Sequence, residues 1–279
     1  MDESQTLVLD TLQRLLTDWQ AGCGHAPNPD ETADFWRTIG ETGLLGALAP
    51  ESEGGLGDDA AFVFEFLRAW GMAAAPGPVL ASLVAGAALL AGSARANLMD
   101  SIAQGTVRLA VPSTLAAVGA FPATPADAPA GSAALPAIPF LRDGGFATHA
   151  LLPATIDGEA VVLCVEIGKL PLSAPFRLID GATAATLTAP GIAVDDADIL
   201  LRGAAAEAAW LRVTERMTAA ACAEAAGLLR AMLDQTVAYV RQRRQFGQAI
   251  GSFQAIQHRL ADVLVNVEQA HSLALAAIV

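Results

Sequence analysis

Basic residues are scarce in this sequence. Lysine and arginine together number 16 against 29 aspartates and glutamates, which gives a formal net charge of −13 and a pI near 4.6. A chain this acidic repels nucleic acid and anionic lipid, so neither is expected as a partner. Lys169 is the only lysine, and a cluster of arginines therefore indicates an anion or a carboxylate partner. Such a cluster occurs at Arg241, Arg243 and Arg244.

Cysteine is also rare. Cys23, Cys164 and Cys222 are odd in number and far apart, which argues against a disulfide framework or a zinc site. We expect all three to be small core residues. The four histidines have no spacing typical of a metal site, so no metal ligand is predicted.

Long apolar runs are missing too. The longest, Val79 to Ala94, is shorter than the roughly 18 residues of a spanning helix and contains two glycines, so no membrane span is predicted. The acidic N-terminus has no positively charged start followed by an apolar block, which argues against a secretory signal. We therefore expect a cytoplasmic protein.

The apolar residues of the chain predict helices towards both ends and strands in the middle. Apolar residues recur at helical spacing near both ends of the chain, as at Phe62 with Phe66 in the first third and at Leu229 with Leu233 and Ile256 with Leu260 after Gly203. A third helical segment is predicted from Val79 to Leu90. The middle of the chain carries short apolar runs bounded by Gly, Pro or Asp, which predict strands. These runs are Thr106 to Val111, Ala147 to Leu152, Ala160 to Glu166 and Ala184 to Thr188.

The predicted fold class is therefore mixed α and β, mainly helical. We expect an N-terminal helical domain over residues 1–104, a small middle β-domain over 105–202, and the start of a C-terminal antiparallel helical bundle over 203–279. Ala117 to Pro139 is rich in Ala, Pro and Gly, and is interpreted as an irregular loop or a degraded part of the sheet. In the last domain, Gly247 and Gly251 separate two long helices.

The connection between those two helices has a specific pattern. It reads Tyr239-Val-Arg-Gln-Arg243-Arg244-Gln245-Phe246-Gly247, then Ile250-Gly-Ser-Phe253-Gln254, then Leu260-Ala261-Asp262. This resembles the C-terminal signature of the acyl-CoA dehydrogenase family, Y-x-x-x-R-x-Q-F-G followed by I-x-x-F-Q and L-A-D. The family's domain order, helical then β then helical bundle, also agrees with the order predicted here.

The resemblance implies contacts with FAD held by a neighbouring subunit. By position, Arg243 would bind the pyrophosphate, Phe246 would pack against the cofactor and Gln254 would hydrogen-bond to it, with Gln245 as a further contact. An arginine near a helix end suits this role because it offers forked hydrogen bonds to an anion. The alternative is that the arginines only favour the negative end of a helix dipole, with Phe246 and Phe253 as core residues.

The resemblance also implies an activity and its partners. The reaction would be the FAD-dependent α,β-dehydrogenation of an acyl-CoA thioester, in fatty acid or steroid catabolism. The implied partners are the acyl-CoA substrate, an electron-transfer acceptor, and a homo- or hetero-oligomer that shares the FAD site.

The catalytic base departs from the family pattern. The usual glutamate lies in the last third of the bundle, and this sequence ends inside the second bundle helix, so we expect that base to be absent. Other members place it early in the first bundle helix, at the position of Met217. Glu215 lies two residues away and is the candidate base, although a solvated surface glutamate is the alternative. Glu224 lies in a stretch similar to one in small subunits of steroid- and pimeloyl-type enzymes, and is interpreted as structural.

The β-domain departs as well, because the family's flavin-facing T-E-x-x-x-G-S-D segment has no counterpart. Ser113 and Thr114 occupy its place and are the candidates to hydrogen-bond the flavin, unless they are only local turn contacts. Three hypotheses remain open. The chain is a subunit or fragment of the dehydrogenase, completed by a partner or a missing segment, or a non-catalytic structural subunit of a heteromeric acyl-CoA dehydrogenase. The third is a helical interaction module that has lost both cofactor and substrate.

Overall fold

The computed structural model describes residues 1–22, 26–57, 59–112, 121–122, 132–136, 138–188 and 191–278. The chain divides into two compact units. The helical unit consists of Met1–Gly22, Asp59–Ala75 and Thr218–Val279, and the mixed unit consists of Cys23–Asp58 and Pro76–Met217. Among the described residues, no helix combines the length and the apolar character needed to cross a membrane.

Seven α-helices and one π-helix are described. They are α1 (Glu3–Gly22), α2 (Pro29–Glu41), α3 (Ala60–Met72), the π-helix (Leu80–Ala85), α4 (Gly86–Leu90), α5 (Leu98–Ala103), α6 (Gly203–Gln242) and α7 (Gln254–Ile278). The helices expected near both ends of the chain are confirmed, and so is the predicted fold class. The helix α2 was not singled out in the sequence. It begins with a capping box, in which Asn28 and Glu31 each accept a hydrogen bond from the other's backbone N–H.

The helical unit is built on aromatic residues of α3. Phe62, Phe66 and Trp70 are fully buried, and the rings of Phe66 and Trp70 stack with centroids 6.4 Å apart. The Trp70 indole N–H donates to the Ala75 carbonyl over 2.9 Å, so this buried polar group is satisfied. The predicted helical stripe of α3 is therefore the face that packs inward.

Two glycines bring α3 and α6 into backbone contact in the helical unit. A Cβ atom on Gly71 would overlap the carbonyl of Glu224, and a Cβ atom on Gly227 would overlap the carbonyl of Arg68. The two contacts are reciprocal, because each helix offers a glycine to a carbonyl of the other. No residue larger than glycine fits at either position unless the helices move apart.

The helical segment predicted from Val79 to Leu90 is confirmed, but its first part is a π-helix. Within it Ser82 is fully buried, and its hydroxyl accepts a hydrogen bond from the Leu109 N–H over 3.0 Å. Gly86 lies against the Leu109 side chain. These contacts pack the π-helix and the start of α4 against the strand β1 of the mixed unit.

The strands of the mixed unit form two sheets. They are β1 (Leu109–Ala110), β2 (Ser132–Ala134), β3 (Leu141–Arg142), β4 (His149–Ile156), β5 (Glu159–Glu166), β6 (Phe176–Arg177), β7 (Thr183–Ala185), β8 (Gly191–Ala193) and β9 (Ile199–Arg202). The larger sheet has the order β8-β2-β4-β5-β9, with β1 parallel to β4, and the smaller has the order β3-β7-β6. All four predicted strand regions contain a strand.

Ala117 to Pro139 was interpreted as an irregular loop or a degraded part of the sheet, and the second alternative is confirmed for its described strand. Residues 117–120, 123–131 and 137 lie outside the described residues. Ser132–Ala134, however, form the strand β2, which pairs with both β4 and β8. Ala133 and Ala134 are almost completely buried, so alanine here is a small core residue of a central strand.

The hairpin of β4 and β5 is buried on both faces. Leu151 and Cys164 lie in one cluster with Trp210 of α6, while Leu152 and Leu163 lie in a second cluster on the other face. Cys164 therefore confirms the expectation of a core cysteine. Cys222 contradicts it, because it lies on the exposed side of α6, and Cys23 is outside the described residues.

A buried carboxyl group follows β3. Asp143 has a left-handed backbone conformation, with φ of 60°, and its side chain is only 10% exposed. Burial raises its pKa to about 6, an effect that the Arg142 guanidinium 3.8 Å away opposes and the Asp180 carboxylate reinforces. The folded state therefore favours the protonated form of Asp143.

Candidate functional site

The connection between α6 and α7 is a small β-hairpin. The strands β10 (Arg244–Gln245) and β11 (Gln248–Ala249) pair antiparallel, and Phe246 and Gly247 form the two-residue loop. The φ angles of these two residues are 51° and 80°. Positive φ at both positions is typical of a type I′ turn. The sequence prediction of two long helices separated by glycines is confirmed, but it did not include this hairpin.

Phe246, at the tip of the hairpin, is exposed and has a strained backbone conformation. Its side chain is 91% exposed, so the interpretation of Phe246 as a core residue is wrong. A bulky residue with positive φ is also strained, because its Cβ approaches the following carbonyl. The ring of Phe253 lies edge-on to it, with centroids 6.2 Å apart. An exposed and strained aromatic residue is a candidate for ligand contact.

Arg243 is the residue that links α6 to the hairpin. Its N–H donates to the Tyr239 carbonyl and its own carbonyl accepts from the Ile250 N–H, each over 2.8 Å. The guanidinium is exposed, and it makes no ion pair or hydrogen bond with any residue that the structure describes. In a chain with a net charge of −13, an arginine without a carboxylate partner is available to an external anion.

Two glutamines complete the tip. Gln245 is exposed and pairs with Gln248 through the hairpin ladder. Gln254 is exposed and is the first residue of α7, where backbone N–H groups are left without helical partners. Gln257, one turn further along, instead donates its side-chain amide to the Gly251 carbonyl over 3.0 Å.

The resulting group of side chains has a defined chemical character. Arg243 offers a forked, permanently charged donor, Phe246 offers an exposed ring, and Gln245 and Gln254 offer neutral amides. This set suits a ligand that combines a phosphate-type anion with a planar ring system. Arg243 and Phe246 flank the short strand β10 of the hairpin, three residues apart in sequence.

The candidate base, Glu215, does not belong to the connection between α6 and α7. Glu215 is exposed on α6 and belongs to the mixed unit. Met217, at the position that the family resemblance assigns to a glutamate, packs against the hydrophobic cluster that contains Trp210 and Val213. The two other predicted cofactor contacts, Ser113 and Thr114, lie outside the described residues.

Arg244 is a residue that the motif did not assign. Its guanidinium donates to the carbonyl of Gly247 over 3.3 Å, across the turn that carries Phe246. The guanidinium groups of Arg243 and Arg244 thus have different surroundings, since the Arg243 guanidinium has no described partner. The sequence carried no signal for this difference, because it depends on the hairpin geometry.

Comparison with known proteins supports a common origin. Residues 208–279 match the acyl-CoA dehydrogenase C-terminal domain. The chain is 32% identical over 254 residues to the acyl-CoA dehydrogenase FadE34 of Mycobacterium tuberculosis, covering 85% of this chain and 31% of that protein. It is 26% identical over 285 residues to the probable acyl-CoA dehydrogenase YngJ of Bacillus subtilis, covering 91% of this chain and 73% of that protein. The chain thus spans less than a third of FadE34.

The fold is shared with a solved structure. A chain in the crystal structure of the ChsE4-ChsE5 complex from Mycobacterium tuberculosis superposes with a TM-score of 0.76 at 24% identity, covering 100% of this chain and 78% of that chain. This likeness extends the match from the C-terminal domain to the helices and strands that precede it. Residues 208–279 thus belong to the acyl-CoA dehydrogenase family as its C-terminal domain, and the relatives that match over most of the chain are acyl-CoA dehydrogenases.

Proposed function

We propose that the chain is a subunit of a flavin-dependent acyl-CoA dehydrogenase and that the tip between α6 and α7 helps to hold FAD at a subunit boundary. The observation that carries the proposal is the pair of Arg243, exposed and without a described partner, and Phe246, exposed and strained. In the chain by itself, Phe246 is strained and the Arg243 guanidinium has no described partner. A ligand that carries a negative charge and a ring system would contact both side chains.

The residues at the tip fit FAD in the following roles. Arg243 binds the pyrophosphate through its fork, because charge-assisted hydrogen bonds to phosphate are among the strong ones. Phe246 packs against the cofactor, and Gln245 and Gln254 hydrogen-bond to its polar edges. Ser113 and Thr114 remain the proposed contacts from the β region. When bound, FAD supplies the redox chemistry, accepting the hydrogen removed from the β-carbon of the acyl-CoA.

A second subunit is part of the proposal. The described surface of the helical unit exposes several large apolar side chains: Leu228, Leu229, Met232, Val263, Leu264 and Val265. A soluble monomer rarely exposes such a group, so we propose that an oligomer covers it. The structural neighbour named above is a complex of ChsE4 and ChsE5, which supports a hetero-oligomer, and a homo-oligomer is the alternative. An electron-transfer acceptor would reoxidise the flavin.

Replacing Arg243 with glutamine tests the flavin site. We expect FAD to bind about tenfold more weakly, because one charge-assisted interaction is lost. The fold should not change, since the guanidinium has no described partner. The measurement is flavin affinity by absorbance and fluorescence titration of the purified protein with any co-encoded partner.

Arg241→Gln is the matched control for Arg243→Gln. Arg241 is also exposed and lies in the last turn of α6, two residues before Arg243, so its replacement removes an equal charge from the same part of the chain. A loss of affinity in the Arg243 variant alone supports the assigned contact. An equal loss in both variants contradicts it and indicates a general effect of charge. If the wild-type protein takes up no FAD, the proposed function is wrong.

The second candidate function is a non-catalytic subunit that completes the FAD site of a catalytic homologue. The packing of Met217 against the hydrophobic cluster favours it, because no carboxylate occupies that position. In the first candidate, Glu215 is the base that takes the α-proton. In the second, the base is supplied by the partner.

Glu215→Gln separates the two candidates. If Glu215 is the base, we expect the variant complex to keep its flavin and to lose at least about a hundredfold in turnover of acyl-CoA with an artificial electron acceptor. If the chain is a structural subunit, turnover remains at the wild-type level. Glu207→Gln, another glutamate of α6, controls for the loss of a carboxylate from this helix.

A further inference from the structure

The turn that contains Phe246 has, at its first loop position, a residue that this turn type disfavours. A type I′ turn requires positive φ at both loop residues, and Asn, Asp or Gly supplies it with little steric cost. Gly247 meets this requirement at the second position, but the first is a phenylalanine with φ of 51°. Such a conformation persists only where the surrounding contacts over-determine it.

Two contacts hold this turn in place. The Arg244 guanidinium reaches across the loop and donates to the Gly247 carbonyl over 3.3 Å. On the side of α7, the Phe253 ring meets the Phe246 ring edge-on, with an interplanar angle of 80°. The ladder pairs of Arg244 with Ala249 and of Gln245 with Gln248 close the hairpin behind the loop.

We propose that Arg244 is a positioning residue, which acts through Phe246 and not through the anion. The guanidinium holds the strained turn, so that the Phe246 ring is already in place when the ligand arrives, and less ordering is needed on binding. The adjacent Arg243, which has no described partner, serves the anion. This assignment rests on the proposed function, because it takes the ligand of Phe246 to be FAD.

The alternative role for Arg244 is a direct contact with the pyrophosphate. The geometry argues against it, since the guanidinium is turned towards the loop carbonyl. The two roles differ in their coupling to Phe246. A residue that acts through Phe246 has no further effect once that ring is removed, whereas a direct anion contact keeps its effect.

A double-mutant cycle on FAD affinity tests the assignment. In the otherwise wild-type protein, Arg244→Ala should weaken FAD binding about fivefold. In the Phe246→Ala background it should change the affinity by less than about 1.5-fold. Arg241→Ala is the charge-matched control and should have the same effect in both backgrounds. A fivefold loss that persists in the Phe246→Ala background overturns the proposal.

Thermal unfolding tests the same turn without flavin. Phe246→Asn places a favoured residue in the left-handed position, so we expect the Tm to rise by about 2 °C while the FAD affinity falls. Arg244→Ala should lower the Tm of the wild-type protein and lower it less in the Phe246→Asn background. An equal decrease in both overturns the positioning role. If wild-type protein binds no FAD, the proposed function has failed, and these unfolding data alone decide whether Arg244 holds the turn.

Discussion

Replacing Gly227 with alanine is expected to destabilise the protein by about 3 kcal/mol or more. The added Cβ atom would overlap the backbone carbonyl of Arg68, where α3 and α6 make contact. A flexible side chain could move aside, but a carbonyl inside a helix cannot move alone. The two helices would have to separate, which removes packing along their whole contact.

Chemical denaturation of the full chain, followed by circular dichroism, measures this effect. The control is Gly22→Ala at the last residue of α1, where an added Cβ atom has no described atom within 4 Å apart from its own helix backbone and its chain neighbours. That substitution should leave the midpoint unchanged or raise it slightly, because alanine restricts the unfolded chain. If Gly227→Ala also leaves the midpoint unchanged, α3 and α6 do not make this backbone contact.

The contact between α3 and α6 could be predicted only in part from the sequence. The stripe of Phe62, Phe66 and Trp70 was predictable, because apolar residues at helical spacing need only local geometry to share a face. Gly71 and Gly227 gave no such signal. A helical glycine is usually a penalty, and its reason becomes visible only when the carbonyl of another helix is placed against it. The short strand β9 was missed for a similar reason, since its pairing partner is distant in sequence, and for β2 the sequence left a loop and a part of the sheet as alternatives.

The candidate site could also be predicted only in part from the sequence. Arg243, Phe246 and Gln254 were identified because the signature that contains them is long and continuous. The strained turn and the contact of Arg244 with Gly247 were not predictable, because phenylalanine at the first loop position is not a hairpin signal. The base was assigned by position alone, and the structure places Met217 of that region in a hydrophobic cluster. A long signature thus supports a group of proposed ligand contacts, whereas a catalytic carboxylate proposed from one position lacks such support.

Asp143→Asn is expected to stabilise the protein at pH 8 and to leave its stability nearly unchanged at pH 4. The pKa of Asp143 is raised by burial from 3.8 to about 6 in the folded state. The stabilisation that comes from its protonated form is therefore fully present below pH 3.8 and is lost as the pH rises through about 6. At pH 8 the folded chain carries a buried carboxylate that the unfolded chain would solvate at no cost.

The size of the effect follows from the shift. Two pKa units correspond to about 3 kcal/mol, so we expect a gain of about 2 to 3 kcal/mol at pH 8. Asparagine has nearly the same shape, carries no charge, and tolerates the left-handed conformation with φ of 60° that Asp143 adopts. The substitution therefore removes the charge and keeps the turn. The measurement is the difference in unfolding free energy between variant and wild type at each pH.

Asp157→Asn controls for the conformation. Asp157 is also left-handed, with φ of 48°, but it is exposed in the turn between β4 and β5. Its replacement should change the stability by less than about 0.5 kcal/mol, equally at both pH values, because no desolvation is relieved. A gain at position 143 that appears at pH 8 and vanishes at pH 4 can then come only from the buried charge. A gain that is the same at both pH values would instead assign the effect to the turn conformation, and would show that the Asp143 carboxyl remains solvated in the folded protein.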